Sequence, residues 1–159
     1  MIKNMEVYKN MMSATVELRF ANAKDIPDAA DFVLIALNDI GMQNECVEVL
    51  GTEFTNRLET YGPQYTILAF DKSNNDSIIG FLEIDPEKSK KGHYFISNLY
   101  VLPAYRHQGI ATMLVQKMLE SKCEPGEELL VQVCNECDLK YWEKLNFKTK
   151  STILSLKRK

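Results

Sequence analysis

Hydrophobic positions change their spacing along this chain often enough to divide it into short elements. Residues 15–20 alternate polar with apolar side chains, with Val16, Leu18 and Phe20 on one side, which is the period of a half-buried strand. A helical spacing follows in Ile26, Ala29, Ala30, Val33 and Leu37, with Asp25 placed to cap it, Pro27 in its first turn and Gly41 at its end. Val47, Leu50, Phe54, Leu58 and Tyr61 trace a second helix over 45–61, stopped by Gly62-Pro63. Three strand patterns come next, 65–70, 78–84 and 93–102, separated by the turn-rich DKSNNDS and PEKSKKG segments and suited to antiparallel hairpin pairing. From Gly109, the residues Ala111, Leu114, Val115, Met118 and Leu119 mark an amphipathic helix. Beyond Pro125-Gly126 the pattern predicts a strand at 129–133, a short helix at 138–145 and a closing strand at 152–156.

This order predicts an α+β fold: a single mixed, mostly antiparallel sheet flanked by helices on both faces. Residues 1–14 show no clear period and are expected to be a flexible lead-in to one domain spanning 15–159. A length of 159 residues with 45% hydrophobic and 26% charged positions fits one soluble globular core. The formal charge of -3 gives no global attraction to nucleic acid or anionic lipid, and neither is expected as a partner. The longest apolar stretch, residues 32–37, is far short of a membrane span, so the expected location is cytoplasmic. Four cysteines are expected as free thiols; Cys134 and Cys137 form a lone CxxC, and His93 and His107 lie at no zinc-like spacing from it, so no metal is expected.

The segment Arg106-His107-Gln108-Gly109-Ile110-Ala111 joins a strand end to a helix start, where unpaired N–H groups and the helix dipole favour an anion. Gly109 removes a side chain where a phosphate would approach the main chain, Ala111 keeps the next turn narrow, Arg106 adds charge and Thr112 a hydroxyl donor. A P-loop reading is opposed by the lack of a Gly-Lys-Ser/Thr run after Gly109.

The run NLYVLPAYRHQGIATMLVQKMLE, from Asn98 to Glu120, resembles the signature of the GNAT N-acetyltransferase superfamily, with Arg106, Gly109 and Ala111 in its R/Q-x-x-G-x-G/A segment. The resemblance implies acetyl-CoA as cosubstrate, the backbone of Leu99, Tyr100 and Val101 pairing with the pantetheine arm, and the amides of His107, Gln108, Gly109, Ile110, Ala111 and Thr112 around the pyrophosphate. It also implies an amine acceptor of unspecified identity, attacked directly in a ternary complex, with the N–H near Val101 facing the thioester oxygen. Downstream, NECDLKYWEKLNF is similar to the family's N-x-x-A-x-x-L-Y-x-x-x-G-F segment, which places Asn135 against the cofactor. Asn146 stands for the family's glycine, and an asparagine can still enter the left-handed region there.

One departure bears on catalysis. Trp142 occupies the position of the tyrosine that protonates the leaving thiolate in many members, and an indole N–H does not ionise usefully. The acid is then Tyr141, a water or no protein group, and Trp142 is expected as an apolar plug beside the cofactor. Glu83 is the candidate base if it faces the cleft, against the alternative of a solvated carboxylate on the sheet face. Asn98 and Tyr100 are candidates for the acceptor side. His93 is expected at the end distant from the thioester, the assembly as a monomer or a homodimer, and the final strand as an exposed edge that pairs across a dimer or is capped. A CoA-binding module without turnover is the alternative reading that Trp142 motivates.

Overall fold

The computed structural model describes residues 15–41, 44–133, 136–150 and 153–159, and the expected lead-in over 1–14 lies outside the described residues. Seven strands, β1 (Val16–Phe20), β2 (Thr66–Asp71), β3 (Ser77–Ile84), β4 (His93–Val101), β5 (Glu128–Gln132), β6 (Lys148–Lys150) and β7 (Ile153–Lys157), form one sheet in the order β1-β2-β3-β4-β5-β7-β6. Every neighbouring pair is antiparallel except β4 with β5. The helices are α1 (Ile26–Asp39), α2 (Asn44–Tyr61), α3 (Ile110–Lys122) and α4 (Glu136–Lys144). Among the described residues no helix is long and apolar enough to cross a membrane.

Strand alternation sorts the core into two layers. On one face Leu68, Phe70, Phe81 and Tyr100 meet Ala29, Phe32, Val33 and Ala36 of α1 and Phe54 and Leu58 of α2. The rings interlock edge to face, with Phe81 at 6.0 Å from Phe32 and 5.6 Å from Phe54. The other face gives Ile67, Ala69, Leu82, Ile84 and Val101 to the stripe of α3 formed by Leu114, Val115, Met118 and Leu119. Helices on both faces of a mostly antiparallel mixed sheet are what the hydrophobic periods predict.

Two details differ from the sequence reading, and a third decides between its alternatives. Tyr61 caps the apolar run of α2 but is exposed, its hydroxyl donating to Glu87. The chain closes with two strands, not one: β6 is too short and polar to show a period, and β7 supplies the ladder that makes it a strand. The final strand β7 is interior, paired with β5 and capped by β6, so among the described residues the sheet edges are β1 and β6.

Gly80 fixes how closely β3 and β4 approach. A Cβ at this position would lie 2.9 Å from the Tyr100 carbonyl oxygen, a backbone atom that cannot move without moving β4. Gly80→Ala is expected to cost about 1–3 kcal/mol, as overpacking does. A urea unfolding midpoint equal to wild type would contradict this close approach.

Candidate functional site

The sheet opens at one point. β4 pairs with β5 only at His93, Tyr94 and Phe95, while its pairing with β3 continues to Val101. The register between β3 and β4 slips where Glu83 faces Asn98 and Ile84 faces Ile96, which makes Ser97 the extra residue of a bulge. Just there β4 parts from β5. The Leu102 N–H donates to the Ile79 carbonyl, so by alternation the peptide groups of Val101 and Leu99 point away from β3, toward the open edge. The Val101 carbonyl is already taken by Arg106 Nε at 2.9 Å.

Beyond β4 a turn at Pro103–Tyr105 leads into the Arg106 loop. His107 (φ 63°) and Gly109 (φ 83°) are left-handed, and Gly109 is the residue at the helix cap, where a side chain would be strained. No side chain caps α3 and its first turn holds no acid. Its first intrahelical bond runs from Met113 N to Gly109 O, so the amides of Ile110, Ala111 and Thr112 have no helical acceptor. This is an anion-receptive helix start.

Arg106 does not extend into that space as the sequence reading expects. Its guanidinium turns back to the end of β4: Nη2 donates to Asp39 Oδ2 at 2.9 Å, and the group lies 5.4 Å from the centre of the Tyr100 ring. The Tyr100 hydroxyl donates to the same Asp39 oxygen at 2.9 Å. Burial, the hydrogen bond to Asp39 and the Asp39 charge push the Tyr100 phenol up to about 12, against the opposing charge of Arg106. The last turn of α1 is thus tied to the loop before α3.

On the face covered by α1 and α2, Glu83 is only 1% exposed, so a solvated carboxylate is excluded by the packing. Its Oε1 accepts from Arg57 Nη2, Ser97 Oγ and Asn98 Nδ2, each at 2.9 Å, and Oε2 accepts from Arg57 Nε at 3.1 Å. These four donors match the roughly four acceptor positions of a carboxylate. Burial works against the Arg57 charge, but hydrogen bonding and attraction to Glu83, with Asp85 and Glu53 further off, raise its pKa above the ordinary value. Because a carboxylate only accepts, Asn98 must present Nδ2 to Glu83 and aim Oδ1 elsewhere. Two adjoining hollows lie beside this cluster. One, of about 110 Å³, is lined by Val33, Leu37, Ile40, Leu50, Phe54, Arg57 and Asn98; the other, of about 80 Å³, adds Leu99 and Tyr100.

Trp142 is buried, its ring 5.1 Å from Phe147, as a core residue of α4. Tyr141 beside it is exposed. Desolvation raises its phenol above the ordinary value, against the Arg106 charge, which lowers it. Asn146 adopts φ 69°, the left-handed conformation the family's glycine would take. His93 is exposed at the far end of β4, and Asn135 lies outside the described residues. Sequence reasoning missed Arg57, Ser97 and Asp39. Arg57 did leave a signal: it is a charge three residues after Phe54, inside the apolar stripe of α2. Ser97 and Asp39 left none, since a bulge and a contact across 67 residues have no local pattern.

An open mixed sheet whose central strand leaves its neighbour next to an anion-receptive helix start is the acyl-CoA N-acyltransferase fold. The acetyltransferase (GNAT) family profile matches residues 37–147, well over half the chain, and the protein belongs to this family of acetyltransferases. No curated protein sequence matches it. Among solved structures it is similar to a GNAT family acetyltransferase of Brucella melitensis in complex with acetyl-CoA (TM-score 0.64, 17% identity, 89% of this chain and 87% of that one). It is likewise similar to the PaiA N-acetyltransferase of Thermoplasma acidophilum in complex with coenzyme A (TM-score 0.61, 20% identity, 91% and 99%). A Pyrococcus horikoshii protein is 22% identical with TM-score 0.62 over 86% of this chain, which spans 44% of that protein's length. At these identities the likeness is one of fold.

Two measurements probe the polar contacts. A folded-state phenol pKa raised from 10 to about 12 contributes stability that is full below pH 10 and is lost as pH rises toward 12. In a tyrosinate absorbance titration Tyr100→Phe should remove the last-ionising phenol; an unchanged high-pH phase would refute the raised pKa of this buried phenol. Glu83→Ala strands the partly buried Arg57 and is expected to cost about 3 kcal/mol. The double variant Arg57→Leu/Glu83→Leu should cost less than that single change in urea unfolding, and a larger loss in the double would contradict the ion pair as the source.

Proposed function

We propose that the protein transfers the acetyl group of acetyl-CoA to a primary amine of a small molecule, peptide or protein, by direct attack in a ternary complex. The observation that carries this reading is the continuity of the open β4 edge with the uncapped start of α3. A phosphate-bearing cosubstrate with an amide-containing arm needs both, and the two lie one short turn apart.

In this reading the amides from His107 to Thr112 hold the pyrophosphate, Gly109 admits it close to the main chain, and the outward peptide groups of Leu99 and Val101 pair with the arm. Acetyl-CoA supplies an electrophilic thioester carbonyl. The Val101 N–H, directed at the open edge, stabilises negative charge developing on its oxygen. Asn98 Oδ1, aimed by Glu83, accepts an N–H of the incoming amine and orients its lone pair. Glu83 itself is a positioning residue: it is paired with Arg57, accepts from four donors and is buried out of the hollow's lining, so proton removal falls to water. Tyr141, protonated and exposed beside the α3 loop, is the group placed to give a proton to the leaving thiolate, while Trp142 packs beneath it. Asn135 is assigned to the cofactor by its place in the family motif.

The test combines binding with turnover. Coenzyme A at about 100 times its Kd should raise the melting midpoint by roughly 5–10 °C. Thr112→Glu puts an acid in the first turn of α3, which favours the helix but repels a phosphate; it should keep the apo midpoint and abolish the shift. A shift retained in this variant would sink the assigned phosphate site. Coenzyme A binding without thiol release from acetyl-CoA in the presence of any amine would replace the transferase reading by a CoA-binding module, the alternative that Trp142 motivates.

A further inference from the structure

The hollows beside Asn98 specify more about the acceptor than that it is an amine. We infer that the acceptor is a small apolar amino acid: its α-carboxylate is held by Arg57 and its side chain fills the hollow between α1 and α2. This rests on the transferase reading above and names the substrate class of the same site.

Three observations converge. First, the charge that faces the hollow is positive. The Arg57 side chain is 26% exposed and lines the hollow, while that of Glu83 is 2% exposed beneath it. Glu83 takes Nε and one N–H of Nη2, and a guanidinium has five donors. Nη1 makes no hydrogen bond to any described residue, so the remaining donors are available to a carboxylate in the fork geometry that guanidinium favours. Second, Asp39 at the end of α1 is committed to the chain's own groups, its Oδ2 accepting from both Tyr100 and Arg106, and the Arg106 guanidinium offsets its charge. A polyamine entering the hollow would meet the Arg57 guanidinium, with no carboxylate among the described residues that line it. Third, the remaining walls are Val33, Leu37, Ile40, Leu50 and Phe54, and the space, about 110 Å³, suits a short aliphatic or thioether side chain. Asn98 lies between the two ends of this arrangement and also lines the adjoining hollow with Leu99 and Tyr100. An amine anchored by its carboxylate at Arg57 therefore reaches Asn98 Oδ1 at the margin of the open strand edge.

The reaction balances without further reactants. The amine nitrogen forms a bond to the acetyl carbonyl carbon, the carbon–sulfur bond breaks, the nitrogen loses one proton to water and the thiolate gains one.

The experiment measures thiol release from acetyl-CoA with the full chain, comparing leucine and methionine with leucinamide, leucyl-glycine, spermidine and lysine. The free amino acids leucine and methionine should exceed leucinamide at least tenfold in kcat/KM. The comparison is conservative, because the less basic amide carries more unprotonated amine at neutral pH. Arg57→Gln should bring the leucine-to-leucinamide ratio toward one through KM. Because that change leaves Glu83 buried without its partner, the paired variant Arg57→Gln/Glu83→Gln repeats the comparison in a neutral cluster. N-acetylleucine with coenzyme A gives a readout independent of turnover: it should raise the melting midpoint of wild type above that with coenzyme A alone, and not that of the paired variant. Equal rates for leucine and leucinamide, preference for leucyl-glycine or spermidine, or a ratio unchanged by both Arg57 variants would each overturn the inference and leave the transferase reading standing. Absence of transfer to every amine, with coenzyme A still bound, would overturn the transferase reading and this inference together.

Discussion

The Glu83 carboxylate is the constraint on which the rest of the site depends. A charge buried this deeply is tolerated only when its acceptor sites are filled, and the donors come from two separate elements: Arg57 from α2, Ser97 and Asn98 from β4. Satisfying it therefore positions α2 on the sheet and pins the bulge at Ser97. That bulge bends β4 where it leaves β5, so the local need of one carboxylate coincides with the opening of the whole sheet.

From that opening the geometry follows in both directions. Toward the C-terminal end of β4, the strand runs unpaired on one side into the turn that begins α3, so an edge able to receive an extended ligand and a helix start able to receive an anion are adjacent. Toward α1, Asp39 gathers Tyr100 and Arg106 and joins the acceptor-side helix to the anion loop. Arg106, expected as a phosphate ligand, is in this conformation a brace: it closes the Val101 carbonyl and leaves the Val101 N–H as the polar group of that residue directed at the edge.

What the sequence disclosed and what it hid divide along physical lines. Strands and helices with three or more periodic positions are legible because burial on one face imposes the period: α3 shows its stripe in Leu114, Val115, Met118 and Leu119, and the structure buries all four. Asn146 could be read as left-handed because the residue type itself permits it. β6 was illegible, since three exposed polar residues become a strand only through β7. The anion-receptive helix start is legible in Gly109 and Ala111, but the destination of the Arg106 side chain is not, because its partner Asp39 is distant in sequence. Glu83 stands out by its chemistry, with a cleft-facing and a solvated environment both open to the sequence: nothing around it shows that Arg57 covers it.

An ion pair of this kind is poor value as a source of stability. Replacing buried pairs with well-packed apolar residues is often neutral or stabilising, and the face around Glu83 is otherwise an aromatic and aliphatic layer that could accept such residues. The polar row is broader than the pair, for Thr66 lies opposite Glu83 in register with its hydroxyl buried and without a hydrogen-bond partner. A fold optimised only for its core would have no reason to carry Thr66, Glu83 and Asn98 side by side across three strands. A site that must aim one amide oxygen and one guanidinium into a small hollow does have a reason, because a sealed carboxylate is the group that fixes both donors in orientation while contributing no competing acceptor to the hollow itself. On the proposed transferase reading, the cluster is the support of the acceptor side and not its reactive group.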